Sequence, residues 1–233
     1  MGRRLKQTDY SRGCCCAPAR PHDLLWARAQ STADDTPAWA LPILAQGGPF
    51  VVRRAPRVSA RIPVGVRGRQ RPERFATTID RDAVTRIVTP EQLAARIAQP
   101  AAGRLGAIAA LDALPQLAAT LDLQNMSWGL TGAVGYELAT GQPVCHEASD
   151  IDVLLRVPQP ITRLAARKMM DSLAALAPRC DIQMETRLGG VALADWAAGN
   201  DRVLVKSDQG PFLCADPWRE APPVQSACYA AGN

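Results

Sequence analysis

The chain lacks the features that would send it to a membrane or an oxidising compartment. No run approaches the ~20 consecutive apolar residues that cross a bilayer. The basic start leads into Cys14-Cys15-Cys16 and not into an apolar stretch, so no secretory signal is read. The seven cysteines include no C-x-x-C pair, and an odd number scattered over the chain argues against a disulfide framework. A cytoplasmic protein with reduced thiols is expected, with no membrane contact. There is no G-x-x-x-x-G-K-[ST], so a P-loop is excluded. Residues 53–74 are dense in arginine but hold no aromatic residue, so a single-stranded nucleic acid would have nothing to stack on.

Charge is unevenly shared. Residues 1–105 carry 18 Lys and Arg against 8 Asp and Glu, a net +10, whereas residues 106–233 carry 9 against 14, a net −5. Such a split in a chain of 233 residues suggests two domains with different electrostatic tasks. The expected division is a leader over 1–20, a basic domain over 21–104, a second domain over 105–219 and a tail over 220–233. Residues 100–103 read as the linker. The arginines from Arg67 to Arg74 suit phosphate or an acidic protein, since a guanidinium can hold two oxygens at once.

Local patterns place the elements. Asp23 to Trp26 reads as a helix entry, with His22-Asp23 as a catalytic pair the competing reading. Residues 49–54 read as a strand and 61–74 as a hairpin. Thr89-Pro90-Glu91-Gln92 opens a helix running to about Ala98, with Thr89 as cap. Residues 105–121 repeat apolar positions at helical spacing, from Leu105 to Leu121, as do 161–177 through Leu164, Met169 and Leu173. Cys180 to Glu185 alternates as a strand. Residues 189–190 make a turn before another helix, and Arg202 to Lys206 form a strand.

The chemistry concentrates in Trp128 to Leu138 and Ser149 to Leu155. Gly129, Gly132 and Gly135 recur every third residue where a strand turns into a helix. Backbone N–H groups at such a turn can hold an anion. In Ser149-Asp150-Ile151-Asp152, strand alternation puts Asp150 and Asp152 on one face and Ile151, Val153 and Leu155 on the other. Two carboxylates side by side repel unless a cation lies between them, and oxygen-only ligation suits Mg²⁺. An anion cradle followed by an acid pair is an arrangement for phosphoryl transfer. Thr131, Gly132, Ala133 and Gly135 are the candidate phosphate contacts, with Arg67. Lys206 is either another such contact or an exposed lysine at a strand end. Asp181, Gln183 and Glu185 share one face of their strand.

These two segments resemble the nucleotidyltransferase superfamily, with its glycine pair, short helix and Asp-x-Asp. Palm-type members often take a third carboxylate from a neighbouring strand, so this resemblance makes Asp181 the candidate third metal ligand; a solvated strand face is the competing reading. A larger set of segments resembles one family in particular. Pro21-His22-Asp23-Leu24, Ile62 to Gly68, Trp128 to Leu138, Ser149 to Asp152, Asp181 to Thr186 and Gly210 to Trp218 are similar to the malonate decarboxylase holo-acyl carrier protein synthases, also called phosphoribosyl-dephospho-CoA transferases. The match spans roughly residues 20–219. It departs at Ala133, where the family looks to carry Ser. The resemblance implies an α+β fold, with a palm-like nucleotidyltransferase domain over 105–219 after a smaller basic α+β domain. It implies transfer from 2′-(5″-triphosphoribosyl)-3′-dephospho-CoA to a serine of the decarboxylase acyl carrier protein, with loss of pyrophosphate. Asp150 and Asp152 would be catalytic and hold Mg²⁺. The alternatives are another nucleotidyltransferase acting on a small molecule or RNA, and a member of the fold that binds without catalysis.

Overall fold

The computed structural model describes residues 18–30, 34–56, 58, 60–68, 70, 72–97 and 104–219. Arg69, Arg71, the linker at 100–103, the tail, Cys14–Cys16 and all of the expected leader but residues 18–20 lie outside these. Residues 18–20 are part of the fold: Ala19 is buried in a core, and the Arg20 backbone N–H donates to Asp23.

The chain is a mixed α/β fold with two sheets. In order it runs β1 (Leu24–Ala27), α1 (Leu41–Ala45), β2 (Phe50–Val52), β3 (Arg61–Arg67), β4 (Arg74–Asp80), β5 (Val84–Val88) and α2 (Pro90–Ala94). There follow α3 (Ala109–Asp112), α4 (Leu114–Asp122), β6 (Trp128–Leu130), α5 (Gly132–Thr140), β7 (Ile151–Arg156), α6 (Arg163–Leu173) and β8 (Cys180–Glu185). The chain closes with β9 (Gly190–Ala192), α7 (Leu193–Ala198), β10 (Val203–Ser207) and β11 (Gly210–Cys214). The first sheet has the order β4-β3-β2-β1-β5 and is antiparallel throughout. The second has the order β11-β10-β9-β8-β7-β6; only one of its pairs, β7 with β8, is parallel, and α6 makes the crossover that a parallel pair requires.

Several expectations are corrected. Asp23 to Trp26 does not open a helix. Leu24 and Leu25 pair with Val51 and Phe50 in the middle of the first sheet, and both are buried. A short run of consecutive apolar residues suits a two-sided buried strand as well as a helix face. The single helix over 105–121 is two, because Pro115 has no N–H to continue the ladder and sits at the start of α4. Leu105 and, in α6, Leu164 are exposed and belong to no apolar face. Between the turn at 189–190 and α7 lies a short strand, β9. The strand at β8 and the Thr89 cap form as expected, with Thr89 and Gln92 in a reciprocal capping box. The hairpin extends past residue 74, β3 pairing with the whole of β4, and α2 ends at Ala94, short of Ala98.

The two sheets share a core. Leu24 of β1, Val88 of β5 and Leu93 of α2 pack with Leu130 and Val153 of the second sheet and Val134 of α5, while Phe50, Val64 and Ile79 fill a separate cluster under the first. α2 lies against β6 so closely that a Cβ on Gly129 would stand 2.1 Å from the Pro90 carbonyl carbon. Polar ties add to this. Arg54, after β2, donates to both carboxylate oxygens of Glu185 on β8. Arg156 on β7 reaches Glu91 at 2.7 Å.

A second lock holds α5. Glu137 is buried and accepts from Arg104 Nε at 2.8 Å and Nη2 at 3.2 Å, and from the backbone N–H groups of Val144 and Cys145. Burial by itself would push this carboxyl up, but those hydrogen bonds outweigh it and hold the group below its ordinary value near 4.5. Glu137→Gln replaces one acceptor oxygen with a donor facing other donors. It is expected to cost on the order of 2 kcal/mol in a urea melt at pH 7. A depressed acid stabilises above its unfolded pKa and loses that contribution as pH falls through its folded one. The gap between Glu137→Gln and wild type should therefore narrow as pH falls below about 4.5. A gap that stays constant into acid would show that the carboxylate charge is not what holds α5.

Candidate active site

The site forms where the two sheets meet, around the turn from β6 into α5. Thr131 caps the helix in extended conformation, and its backbone N–H donates to the Asp152 carbonyl at 2.9 Å. This fixes the turn against β7. Gly132 follows with φ +61, a left-handed conformation in which side chains are strained. A Cβ there would lie 1.8 Å from Asp152 Oδ2. The bare backbone of Gly132 is what lets the helix N-terminus approach the Asp152 carboxylate.

Asp152 stands opposite Asp181 in the parallel register of β7 and β8. Residues so paired lie on one face, about 4.8 Å apart at the backbone. Asp150 is exposed and immediately precedes β7. Burial pushes the Asp152 carboxyl up, and the charges of Asp181 and Asp150 push it further; Arg67 opposes them and loses. Asp181 is half exposed and pairs with Arg179 at 2.8 Å. Among the described residues no group of three or more His, Cys, Asp or Glu is gathered closely enough to hold a metal ion. Any ion at Asp152 and Asp181 would therefore draw ligands from a substrate or water as well.

Two cavities open from this point. The first, about 660 Å³, lies between the sheets and is lined by Arg53, Arg67, Arg74, Phe75, Tyr136 and Gly132, with apolar positions such as Leu24 and Leu130. The Arg67 guanidinium sits 5.4 Å from the Tyr136 ring centroid, and its buried Nε has no hydrogen-bond partner among the described residues. The second, about 670 Å³, lies on the far side and is lined by Asp181, Gln183, Asp195, Arg179 and Lys206 over an apolar floor from α6. His22, Thr131 and Asp152 border both cavities.

The expected site residues thus divide. Gly132, Gly135 and Arg67 line the first cavity, Asp181 and Lys206 the second, and Thr131 and Asp152 both. Ala133 is half-buried against the larger core and lines neither cavity, and neither does Asp150. His22, which the sequence singled out only in the competing reading of a His22-Asp23 catalytic pair, stands at the junction. Its signal was present in the Pro21-His22-Asp23-Leu24 match, whereas Gln183 and Tyr136 carried no signal beyond the segments that contain them.

Comparison with known proteins agrees with this geometry in extent. The model of the phosphoribosyl-dephospho-CoA transferase MdcG N-terminal domain matches residues 20–90, and that of the MdcG C-terminal domain matches residues 92–217. A phosphoribosyl-dephospho-CoA transferase of Azotobacter vinelandii is 46% identical over 206 residues, covering 86% of this chain and 95% of the relative. Proteins of the same name from Pseudomonas putida W619 and Pseudomonas aeruginosa are 44% and 43% identical, covering 85% and 88% of this chain and 95% and 96% of the relatives. No solved structure matches. With both family models matched in sequence order across the two sheets, and relatives similar over nearly their whole lengths, the chain belongs to the MdcG phosphoribosyl-dephospho-CoA transferase family.

Proposed function

We propose that the chain transfers the phosphoribosyl-dephospho-CoA group from 2′-(5″-triphosphoribosyl)-3′-dephospho-CoA to a serine of the malonate decarboxylase acyl carrier protein, releasing pyrophosphate. The observation that carries this is the contact between the Gly132 backbone and the Asp152 carboxylate, in a chain of this family. It sets a phosphate-holding turn against an acid in the order that a nucleotidyltransferase palm would need. The serine oxygen forms a bond to the α-phosphorus, and the bond from that phosphorus to the bridging oxygen of pyrophosphate breaks. The serine proton passes to a carboxylate of the site.

The residues fit Mg²⁺. The donor set is all oxygen, Asp152 and Asp181 repel each other without a cation, and Mg²⁺ commonly takes one or two carboxylates plus phosphates. Asp152 with Asp181 or Asp150 would hold the ion, which would neutralise charge on the triphosphate. The first cavity suits the donor. Tyr136 and Phe75 offer apolar faces, Arg53, Arg67 and Arg74 offer charge, and the orphaned Arg67 Nε offers an unused hydrogen bond to an anion. Localisation in the cytoplasm agrees with the free thiols of Cys145, Cys180 and Cys214, and among the described residues no helix is long and apolar enough to cross a membrane.

The direct test is the intact mass of the carrier protein after incubation with the enzyme, Mg²⁺ and the triphosphoribosyl donor. A gain of one phosphoribosyl-dephospho-CoA unit, with pyrophosphate in solution, is expected. An unchanged carrier alongside transfer from ordinary nucleoside triphosphates would overturn the reading.

Asp152→Asn should lower turnover by roughly 10³-fold, the scale of losing one group that stabilises charge in the transition state. It should also raise Tm at pH 7. An acid whose pKa is raised on folding costs stability above its folded pKa and nothing below its unfolded one, so the gain in Tm should vanish below about pH 4. Added Mg²⁺ should stabilise wild type more than Asp152→Asn. A variant that is less stable than wild type at pH 7 would mean that Asp152 is compensated in the native protein.

Residues 132 and 133 should behave oppositely. Gly132→Ala is expected to fold but lose most activity, as its Cβ displaces the Asp152 carboxylate. Ala133→Ser should stay within about threefold of wild type, because a group outside both cavities supplies little differential binding. Equal effects in side-by-side turnover assays would rule out the turn as the phosphate cradle.

A further inference from the structure

His22 is in an unusual setting for a residue with a bland reading in sequence. Its φ is +75, in the left-handed region, one of two such non-glycine residues among those described. A strained backbone of this kind persists where the surroundings over-determine it, and such residues gather at functional sites. Here the His22 backbone N–H donates to the Val52 carbonyl at 3.0 Å, and Asp23 is anchored by the Arg20 N–H. The conformation swings the imidazole out of the first sheet to the border of both cavities, beside Thr131 and Asp152.

The ring meets the second sheet there. Gln183 Nε2 lies 2.8 Å from His22 Nε2. An amide nitrogen can only donate, so His22 Nε2 accepts and the ring proton resides on Nδ1. Gln183 is itself confined, since a Cβ on Gly190 would lie 2.7 Å from its side-chain nitrogen. Nδ1–H has no partner among the described residues. Burial lowers the imidazole pKa to about 4, and the charges of Arg54, Arg156 and Lys206 add to this, so the ring is neutral at physiological pH. The result is a neutral N–H donor with a fixed tautomer, in a positive field, next to a site whose acids repel anions.

We propose that His22 is a further catalytic residue of this family member, donating a hydrogen bond from Nδ1–H to a phosphate oxygen of the donor where the two cavities join. This deepens the transferase reading and rests on it for the identity of the substrate. A neutral donor suits the place: it favours the developing charge on the leaving phosphates without giving Asp152 a permanent ion-pair partner. The first sheet thereby contributes an atom to the chemistry, and its role extends beyond docking.

The test uses His22→Gly and His22→Asn in the full chain. Glycine accepts φ +75 without strain, so that variant removes the ring and spares the turn. Asparagine tolerates the same backbone and keeps a neutral N–H donor. Both should melt close to wild type. His22→Gly should lower kcat roughly 10²-fold, the scale of losing one oxyanion donor. It should also weaken the binding of inorganic tripolyphosphate, measured by calorimetry. His22→Asn should restore much of both. If wild type transfers the group and His22→Gly matches it in kcat and tripolyphosphate affinity, the proposal is overturned while the transferase reading stands. Equal loss in the two folded variants would also overturn it, since a donor was kept in one. If wild type fails to transfer the group, the transferase reading is what fails, and the tripolyphosphate comparison still decides whether His22 touches phosphate.

Discussion

A carboxylate held within reach of a bare backbone turn is the constraint around which the rest is arranged. Asp152 lies on a strand buried at Ile151, Val153, Leu154 and Leu155, so it cannot move away from its neighbours. Gly132 carries no Cβ, so the helix N-terminus can close on it. Neither residue would be useful alone. The carboxylate is raised by burial and by two other acids, which is a cost that the protein bears in its resting state. That cost is offset elsewhere by packing, with Leu130 and Val134 on either side of the turn fully buried.

The second requirement is a rigid seam between the sheets. Arg54 with Glu185, Arg156 with Glu91 and the shared packing of Leu24, Val88 and Leu93 span it. The ion pairs at this seam are largely shielded from water, with side chains of Arg54, Arg156 and Glu185 at 13–14% exposure. Buried charge pairs of this kind favour one geometry over others more than they add net stability. One geometry is what a two-sided site needs, because the cavity walls come from different sheets.

Much of this was legible in the chain. The strand β8, the Thr89 cap, the glycine turn and the segment carrying the acids all follow from spacing and residue type. What was not legible depended on partners distant in sequence. Leu24 and Leu25 look the same whether a helix face or a sheet interior receives them, and only β2 and β5 decide it. Pro115 was visible, but the apolar repeat on both sides of it invited a single helix. Asp181 reads as a strand acid, and its place opposite Asp152 is set by the parallel register that α6 imposes. Arg67 was singled out for its charge; that its Nε is orphaned beside Tyr136 required β3 of the first sheet and α5 to meet across a long stretch of sequence.

The capping box of α2 has a consequence for how the molecule could be divided. The matched N-terminal family segment ends at residue 90 and the C-terminal one begins at 92. Thr89 and Gln92 cap each other across that point, and Pro90 touches Gly129. A cut between the two segments would sever the first turn of a helix, uncover the flank of β6 and separate Glu91 from Arg156. The seam between the two family segments is therefore no place for a hinge or a linker. The two parts are inherited as adjacent pieces but must be synthesised, folded and degraded as one object.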